Sequence, residues 1–427
     1  NLIFRMETDS LRRFAAFTSN SVITPETFIP LPPQDLHSSS PADMIIVAHP
    51  LFVPYALRLA GIHETNSGLV SMVVTPVQIY NEFSGGTPDI AAIRNFIRMK
   101  YIAQKNTARP LKYLLLFGDG SYNNRILPPD NPNFVMTYQS LNSNVQVSTF
   151  TSDDFYGLLD DGEGEDTGSE DIGIGRIPVS DTSGARIAVS KIERYLNQSF
   201  QGDWKNVVCL TADDEDGNTH VSDAEGLAVI IEEKAPWMNL KKIYFDSFRQ
   251  ETTPTGEFYP DVVQAINGQI NSGSLIFNYI GHGNETSLGH ERVVTPESIS
   301  AWKNIGRLPL FITATCEFSR FDDAEKNIAT GALQPKNSSG ENILLKEDGG
   351  AVALMSTSRL VYSAPNYVLN RNIFEVAFSR GEDGAGLRFG DIIRLAKNRS
   401  GNNTNKRNFV LLGDPAVRLS WPWQGTV

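Results

Sequence analysis

The chain has 427 residues, which at roughly 150 per domain predicts two or three domains or one large α/β unit. Hydrophobic residues make up 41% and charged residues 20%, enough to bury large cores and too apolar for a disordered or fibrous chain. Asp plus Glu number 49 against 37 for Lys plus Arg, and the net charge of −12 repels a phosphate backbone, so no nucleic-acid partner is expected.

No apolar run approaches the roughly 18 residues that a membrane helix needs. Met44 to Val47 and Leu275 to Ile280 have the length of buried strands. The start at Asn1, without an initiator Met or a signal peptide, reads as a fragment or a processed product. Residues 1–43 carry Pro30, Pro32, Pro33, Ser38, Ser39, Ser40 and Pro41 and read as a linker. Phe4-Arg5-Met6 and Phe14 to Phe17 read as the tail of an upstream β domain.

From Met44 the chain alternates strand and helix. Met44 to Ala48, Val70 to Val74, Tyr113 to Phe117 and Ile172 to Ile177 read as strands, with helices at Pro54 to Gly61, from Pro88, and at Ser183 to Leu196. The rhythm restarts at Trp204. Strands are expected at Val207 to Thr211, Lys242 to Phe245, Ser274 to Ile280, Leu308 to Ala314, Ala351 to Met355 and Phe409 to Leu412. Helices are expected at Ser222 to Lys234, Pro260 to Gln269 and Pro296 to Lys303. This alternation predicts an α/β fold with mostly parallel sheets, in two subdomains at 44–200 and 201–420. Residues 421–427 read as the start of a downstream segment. Ligands of such sheets sit at the carboxyl ends of the strands.

Most chemistries lack their residues. Two cysteines, Cys209 and Cys316, are too few for a disulfide framework and too few for a zinc site. His290-Glu291 opens like a zincin motif, but the second His is absent. No G-x-S-x-G elbow and no P-loop occur. Two strand ends carry what thiol chemistry requires: Gly281-His282-Gly283 after one, and Thr315-Cys316 after the other. A thiol is mostly protonated near neutral pH, and a neighbouring imidazole makes it nucleophilic. The N–H groups of Gly283 and Cys316 suit an oxyanion hole. A Cys at a strand end is commonly just a small buried hydrophobe. Cys209, within the apolar Val207-Val208-Cys209-Leu210, reads as structural.

The segment Ile276 to Thr286, with Gly281-His282-Gly283, resembles the histidine motif of the gingipain family of cysteine peptidases. Thr313-Ala314-Thr315-Cys316 resembles the family's nucleophile motif, and Phe409 to Pro415 its last catalytic strand. The resemblance spans roughly 44–420 and implies a caspase-like α/β sandwich with Cys316 and His282 as the catalytic pair. It further implies Asp214 as the acid orienting His282, with Asp213 as its neighbouring substitute, and Asp223, Tyr362 and Ser363 in the substrate pocket. Asp223 at a helix start equally suits capping. Asp153-Asp154-Phe155-Tyr156-Gly157 looks more like the type IX secretion sortases of this family than the secreted gingipains.

That likeness implies an enzyme at the outer-membrane surface that removes C-terminal signal domains and passes the new carboxyl end to an amine of anionic lipopolysaccharide. Other type IX secretion components are the implied partners. A peptidase that only hydrolyses, and a non-catalytic caspase-like scaffold, are the alternatives. No cofactor is required, but the acidic loops with Asp160, Asp161 and Glu163, and with Asp216 and Asn218, have the oxygen donors calcium takes.

Overall fold

The computed structural model describes residues 5, 15–21, 30–142, 144–165, 167–197, 200–254, 256–381 and 384–422. Phe4, Met6 and Phe14 of the expected upstream tail, and 423–427 of the expected downstream segment, lie outside these residues.

Ten strands form one sheet: β1 (Met44–Ala48), β2 (Ser71–Val74), β3 (Tyr113–Phe117), β4 (Gly173–Ile177), β5 (Val207–Ala212), β6 (Asn239–Tyr244), β7 (Ile276–Ile280), β8 (Leu310–Ala314), β9 (Ala353–Thr357) and β10 (Phe409–Leu412). Their order is β2-β1-β3-β4-β10-β9-β8-β7-β5-β6, so the two runs of strands meet in a single sheet. Central strands such as Tyr-Leu-Leu-Leu-Phe of β3 are buried at every position, because helices cover both faces. Edge strand β6 exposes Lys241 and Lys242, charges that discourage edge-to-edge pairing. That polar opening explains why the sequence suggests its start at Lys242, three residues late.

Side chains alternate across the sheet into different cores. Met44, Ile46, Val208, Leu210 and Leu310 face one core that runs under both halves and includes the helices Val53–Ser67, Thr182–Leu196, Thr219–Lys234, Ser363–Ala377 and Phe389–Arg399. On the opposite face, Ile45, Val47 and Leu114 pack with the helix Ile90–Gln104. Cys209, Phe277 and Phe311 pack there with the helix Pro260–Ser272 in a second, separate core.

All neighbouring strands run parallel except β9 and β10. The connection between these two carries a pair of helices, Ser363–Ala377 and Phe389–Arg399. The sequence reading missed this helix pair, and also the short helix Pro76–Phe83 with its Thr75/Gln78 capping box.

Asp153-Asp154 is buried rather than displayed. Arg176 of β4, with no exposed surface, donates to both oxygens of Asp153 at 2.7 Å and to the carbonyls of Gly118 and Val135 at 2.8 Å. Asp154 accepts from Lys397 at 2.6 Å and from Arg407 at 3.1 Å. These pairs tie the long 118–172 connection to the sheet and to the Phe389–Arg399 helix.

Removing one partner strands the other charge in a dry site. Arg176→Met is therefore expected to destabilise the fold by about 3–5 kcal/mol, read as a fall in the denaturant midpoint. Breaking the exposed Arg58–Glu193 pair by Arg58→Ala should leave that midpoint nearly unchanged.

Candidate active site

The site follows from strand register. Ile280 of β7 pairs with Ala314 of β8 on one side and Ala212 of β5 on the other, so three neighbouring strands end level. Strands lie about 4.8 Å apart, and the loops leaving them start side by side at Asp213, Gly281 and Thr315. His282 and Cys316 each stand two residues beyond a strand end. Both line one small cleft of about 80 Å³, together with Asp216, His220, Asp223, Val361, Ser363 and Tyr367.

A buried carboxylate fixes the His282 backbone. Asp213, with no exposed surface, accepts the His282 N–H at 2.5 Å. The Tyr279 hydroxyl donates to the His282 carbonyl at 2.7 Å and lies 3.2 Å from the same Asp213 oxygen. Gly281 makes this possible: its φ is +154°, and a Cβ there would sit 2.2 Å from Asp213 Oδ2. A Cβ on Gly283 would sit 2.6 Å from the Thr315 hydroxyl, so the loops of β7 and β8 touch only because Gly283 has none. Burial pushes the Asp213 carboxyl up to about 7.

The imidazole has a different partner. His282 Nε2 lies 3.2 Å from Asp216 Oδ2. Its ring stacks on His290, centroids 4.9 Å apart, and His290 Nδ1 in turn lies 2.7 Å from Glu215. Asp214, expected to orient His282, accepts instead from the Tyr259 hydroxyl at 2.9 Å. The structure thus does not bring Asp214 to the imidazole: alternation at the end of β5 sends Asp213 and Asp214 to opposite sides, and Asp214 follows the Tyr259 face. Asp213, its expected substitute, meets the backbone of His282 and not the ring.

Cys316 is a half-buried free thiol and Cys209 a fully buried one. Cys316 Sγ donates to the Val361 carbonyl at 3.7 Å and makes no hydrogen bond to His282. Burial raises its pKa above the ordinary thiol range, and the nearby Glu317 adds to this. Glu317 itself takes a left-handed φ of +52°, a strain of roughly 1 kcal/mol or more. Its N–H on the Arg359 carbonyl at 3.3 Å and the Ser319 N–H on the Thr357 carbonyl at 2.8 Å hold this sharp exit from β8. The N–H groups of Gly283 and Cys316 have no acceptor among the described residues.

The family is decided by comparison. Residues 37–420 match the model of peptidase family C25. The chain belongs to this family, the gingipain cysteine peptidases. Among solved structures, the Arg-specific cysteine proteinase gingipain R (RgpB) aligns with a TM-score of 0.62 and 16% identity, over 90% of this chain and 80% of that one. The complex of the Porphyromonas gingivalis RgpB pro- and mature domains gives 0.63 and 15%, over 88% and 79%. Dimeric latent PorU from Porphyromonas gingivalis gives 0.49 and 23%, over 92% of this chain and 31% of that one. A sequence search of curated proteins finds no match. At these identities the likeness to the two RgpB structures establishes the shared fold.

For this gingipain-family chain, the expected pocket residues divide. Asp223 and Ser363 line the cleft. Tyr362 does not; it is 56% exposed, and its N–H donates to Asn405 at 2.8 Å. The helix carrying Asp223 begins at Thr219 with Asn218 as a left-handed N-cap that makes no side-chain bond. Asp223 is therefore inside the helix rather than at its expected start, and capping does not account for it. Burial pushes its carboxyl up to about 6.

The first acidic loop is held by cations and amides. Asp161 pairs with Arg98, Asp160 with Lys105 at 3.3 Å, and Glu163 accepts the Ser169 N–H at 2.8 Å. In the second loop Asp216 faces two imidazoles, an arrangement unlike an all-oxygen calcium cage. Sequence reasoning gave His220 no role, and weighed His290 only as the opening of a zincin motif.

With no cation bonded to it and its pKa raised, Cys316 rests as a thiol. Alkylation is expected to climb with pH through and beyond the ordinary thiol range, at Cys316 alone. Cys209, pushed up to about 12 and sealed in the core, should stay unlabelled in the folded chain. A labelling rate already at its plateau below neutral pH would show a resting thiolate instead.

Proposed function

We propose that the chain is a cysteine endopeptidase in which Cys316 is the nucleophile and His282 the general base and acid. The supporting observation is that both side chains line one cleft at the level ends of adjacent strands. Cys316 Sγ attacks the scissile carbonyl while His282 takes its proton and later gives it to the leaving amine. With Nε2–H directed to Asp216, Nδ1 is the ring nitrogen that carries the lone pair. The unused N–H groups of Gly283 and Cys316 bind the oxyanion. Asp216, in place of Asp214, orients the ring and favours the imidazolium. Asp223 and Ser363 form the wall that meets the substrate side chain. The boundary near residue 200, between a supporting and a catalytic subdomain, is part of the same reading.

This reading separates the acids. Cys316→Ala should abolish peptide hydrolysis, and His282→Ala should lower kcat by roughly 10²–10⁴-fold. Asp216→Asn should cost less, since the pair can still react, whereas Asp214→Asn should run close to the parent rate. Steady-state kinetics with a fluorogenic peptide check this, and an inactive Asp214→Asn beside an unaffected Asp216→Asn would reverse the assignment.

We further propose that the substrates are type IX secreted proteins, whose C-terminal signal domains are removed at the cell surface. The supporting feature is the 153–157 segment, which resembles the sortase branch of the family. The thioester on Cys316 is open to attack by an unprotonated amine as well as by water, and the acceptor that is best positioned wins. An amine of anionic lipopolysaccharide is the proposed acceptor, with other secretion components bringing it to a chain whose net charge is −12. A cargo protein incubated with a concentrated glycine peptide should yield a C-terminus heavier by that peptide in mass spectrometry. Hydrolysed ends alone, even with the assembled machinery and its acceptor, would reduce the protein to a signal-removing peptidase.

A further inference from the structure

We propose that Asp216, His220 and His282 form a zinc site through which the metal reversibly switches the enzyme off. The first observation is an unsatisfied histidine. His220 is 4% exposed, yet its Nδ1 has no hydrogen-bond partner and its Nε2 meets only carboxylate oxygens, in contacts not aligned as hydrogen bonds. Buried polar groups are almost always paired, and each exception needs a cause. Its Nε2 stands 3.2 Å from Asp216 Oδ2 and 3.4 Å from Asp213 Oδ1, and its ring meets that of His282 edge-on with centroids 5.4 Å apart.

The second observation is the spacing. His282 Nε2 lies 3.2 Å from the same Asp216 oxygen, and one ligand atom from each of the three residues lies within 4.8 Å of the others. Tetrahedral zinc with bonds of about 2.0–2.2 Å holds its ligand atoms about 3.3–3.5 Å apart. Asp216 already stands close to that distance from both imidazoles, so binding requires only that the two rings draw together. Asp216, Gly217 and Asn218 take consecutive left-handed φ values of 59°, 60° and 68°, and Asp216 is half exposed, so its carboxylate can adjust. Two imidazoles and one carboxylate are a zinc donor set that leaves a fourth position for water. All three residues line the cleft that holds Cys316.

The inhibitory consequence depends on reading His282 as the base; the metal binding does not. A neutral imidazole has one nitrogen with a free lone pair and one with a proton. Zinc on Nε2 takes the lone pair there and leaves the proton on Nδ1, so the Cys316 thiol has no acceptor for its own proton. No proton or electron is gained or lost overall, and release of the metal restores the base.

The test uses the chelator-stripped full chain, zinc chloride and a chromophoric competing chelator. Expected results are one zinc per chain and slower Cys316 alkylation and peptide hydrolysis on loading, both reversed by chelator. His220→Gln and Asp216→Asn should each weaken binding by at least the roughly 10–100-fold that losing even an outer-shell partner costs. His220→Cys, which keeps a zinc ligand, should recover much of the affinity, and Cys316→Ala should bind normally. Thermal midpoints of the metal-free variants separate lost binding from lost folding. No stoichiometric binding, or binding lost in Cys316→Ala and kept in His220→Gln, would overturn the site. Binding that leaves alkylation and hydrolysis unchanged would overturn the switch. Zinc binding with the expected His220 dependence in a chain that hydrolyses no peptide would instead sink the peptidase reading and spare the site.

Discussion

The site depends on one constraint, the level ending of β5, β7 and β8. Because Ile280 is in register with both Ala212 and Ala314, the loops carrying Asp213, His282 and Cys316 leave the sheet from one line. A slip of one residue in any of these strands would turn every side chain on it to the other face. Register here is strongly fixed, because Val208 and Leu210 must face one core while Cys209 and Phe277 face another. The apolar pattern that folds the sheet is thus also what aligns the reactive side chains.

Beyond the strand ends, the loops are held by buried polar contacts as well as by packing of Leu288, Val293, Phe318 and Phe321 into the core. Asp213 grips the His282 N–H, while the Arg359–Asp322 pair and the Thr357 hydroxyl on the Thr315 carbonyl anchor the Cys316 loop to β9. Such contacts add little net stability, since desolvation offsets most of the attraction. Their value is positional. Around Cys316 they hold the loop in which Glu317 keeps a left-handed backbone that an unsupported loop would relax.

How much of this was legible in the sequence follows from the same division. Strands with continuous apolar runs, such as β1 and β3, were readable nearly to the residue, and the two strand ends with His282 and Cys316 came with them. The reversal of β10 was not, because strand direction is set by the tertiary path of the connection, and the helix pair after β9 went unread. Which acid stands beside the His282 imidazole was not legible for a related reason. Asp213, Asp214 and Asp216 are one acidic loop in the sequence, and only the left-handed turn at Asp216 to Asn218 decides which carboxylate reaches the imidazole. His220 was invisible because a lone histidine on an amphipathic helix has no signature without the loop that faces it.

The electrostatics of the cleft also constrain when the chemistry begins. Burial raises the Cys316 thiol and the nearby Glu317 adds to this, outweighing the opposing contact with the Val361 backbone. Asp213, with its carboxyl raised to about 7, is partly neutral near neutral pH, which lowers the cost of so many acids around one histidine. A resting thiolate–imidazolium pair is therefore disfavoured in the empty cleft. On the proposed mechanism, proton transfer to His282 has to coincide with substrate attack, where the oxyanion gains two N–H donors that the free protein leaves unused. The binding of a peptide carbonyl then supplies what the empty site lacks, and reactivity toward stray electrophiles stays low until it arrives.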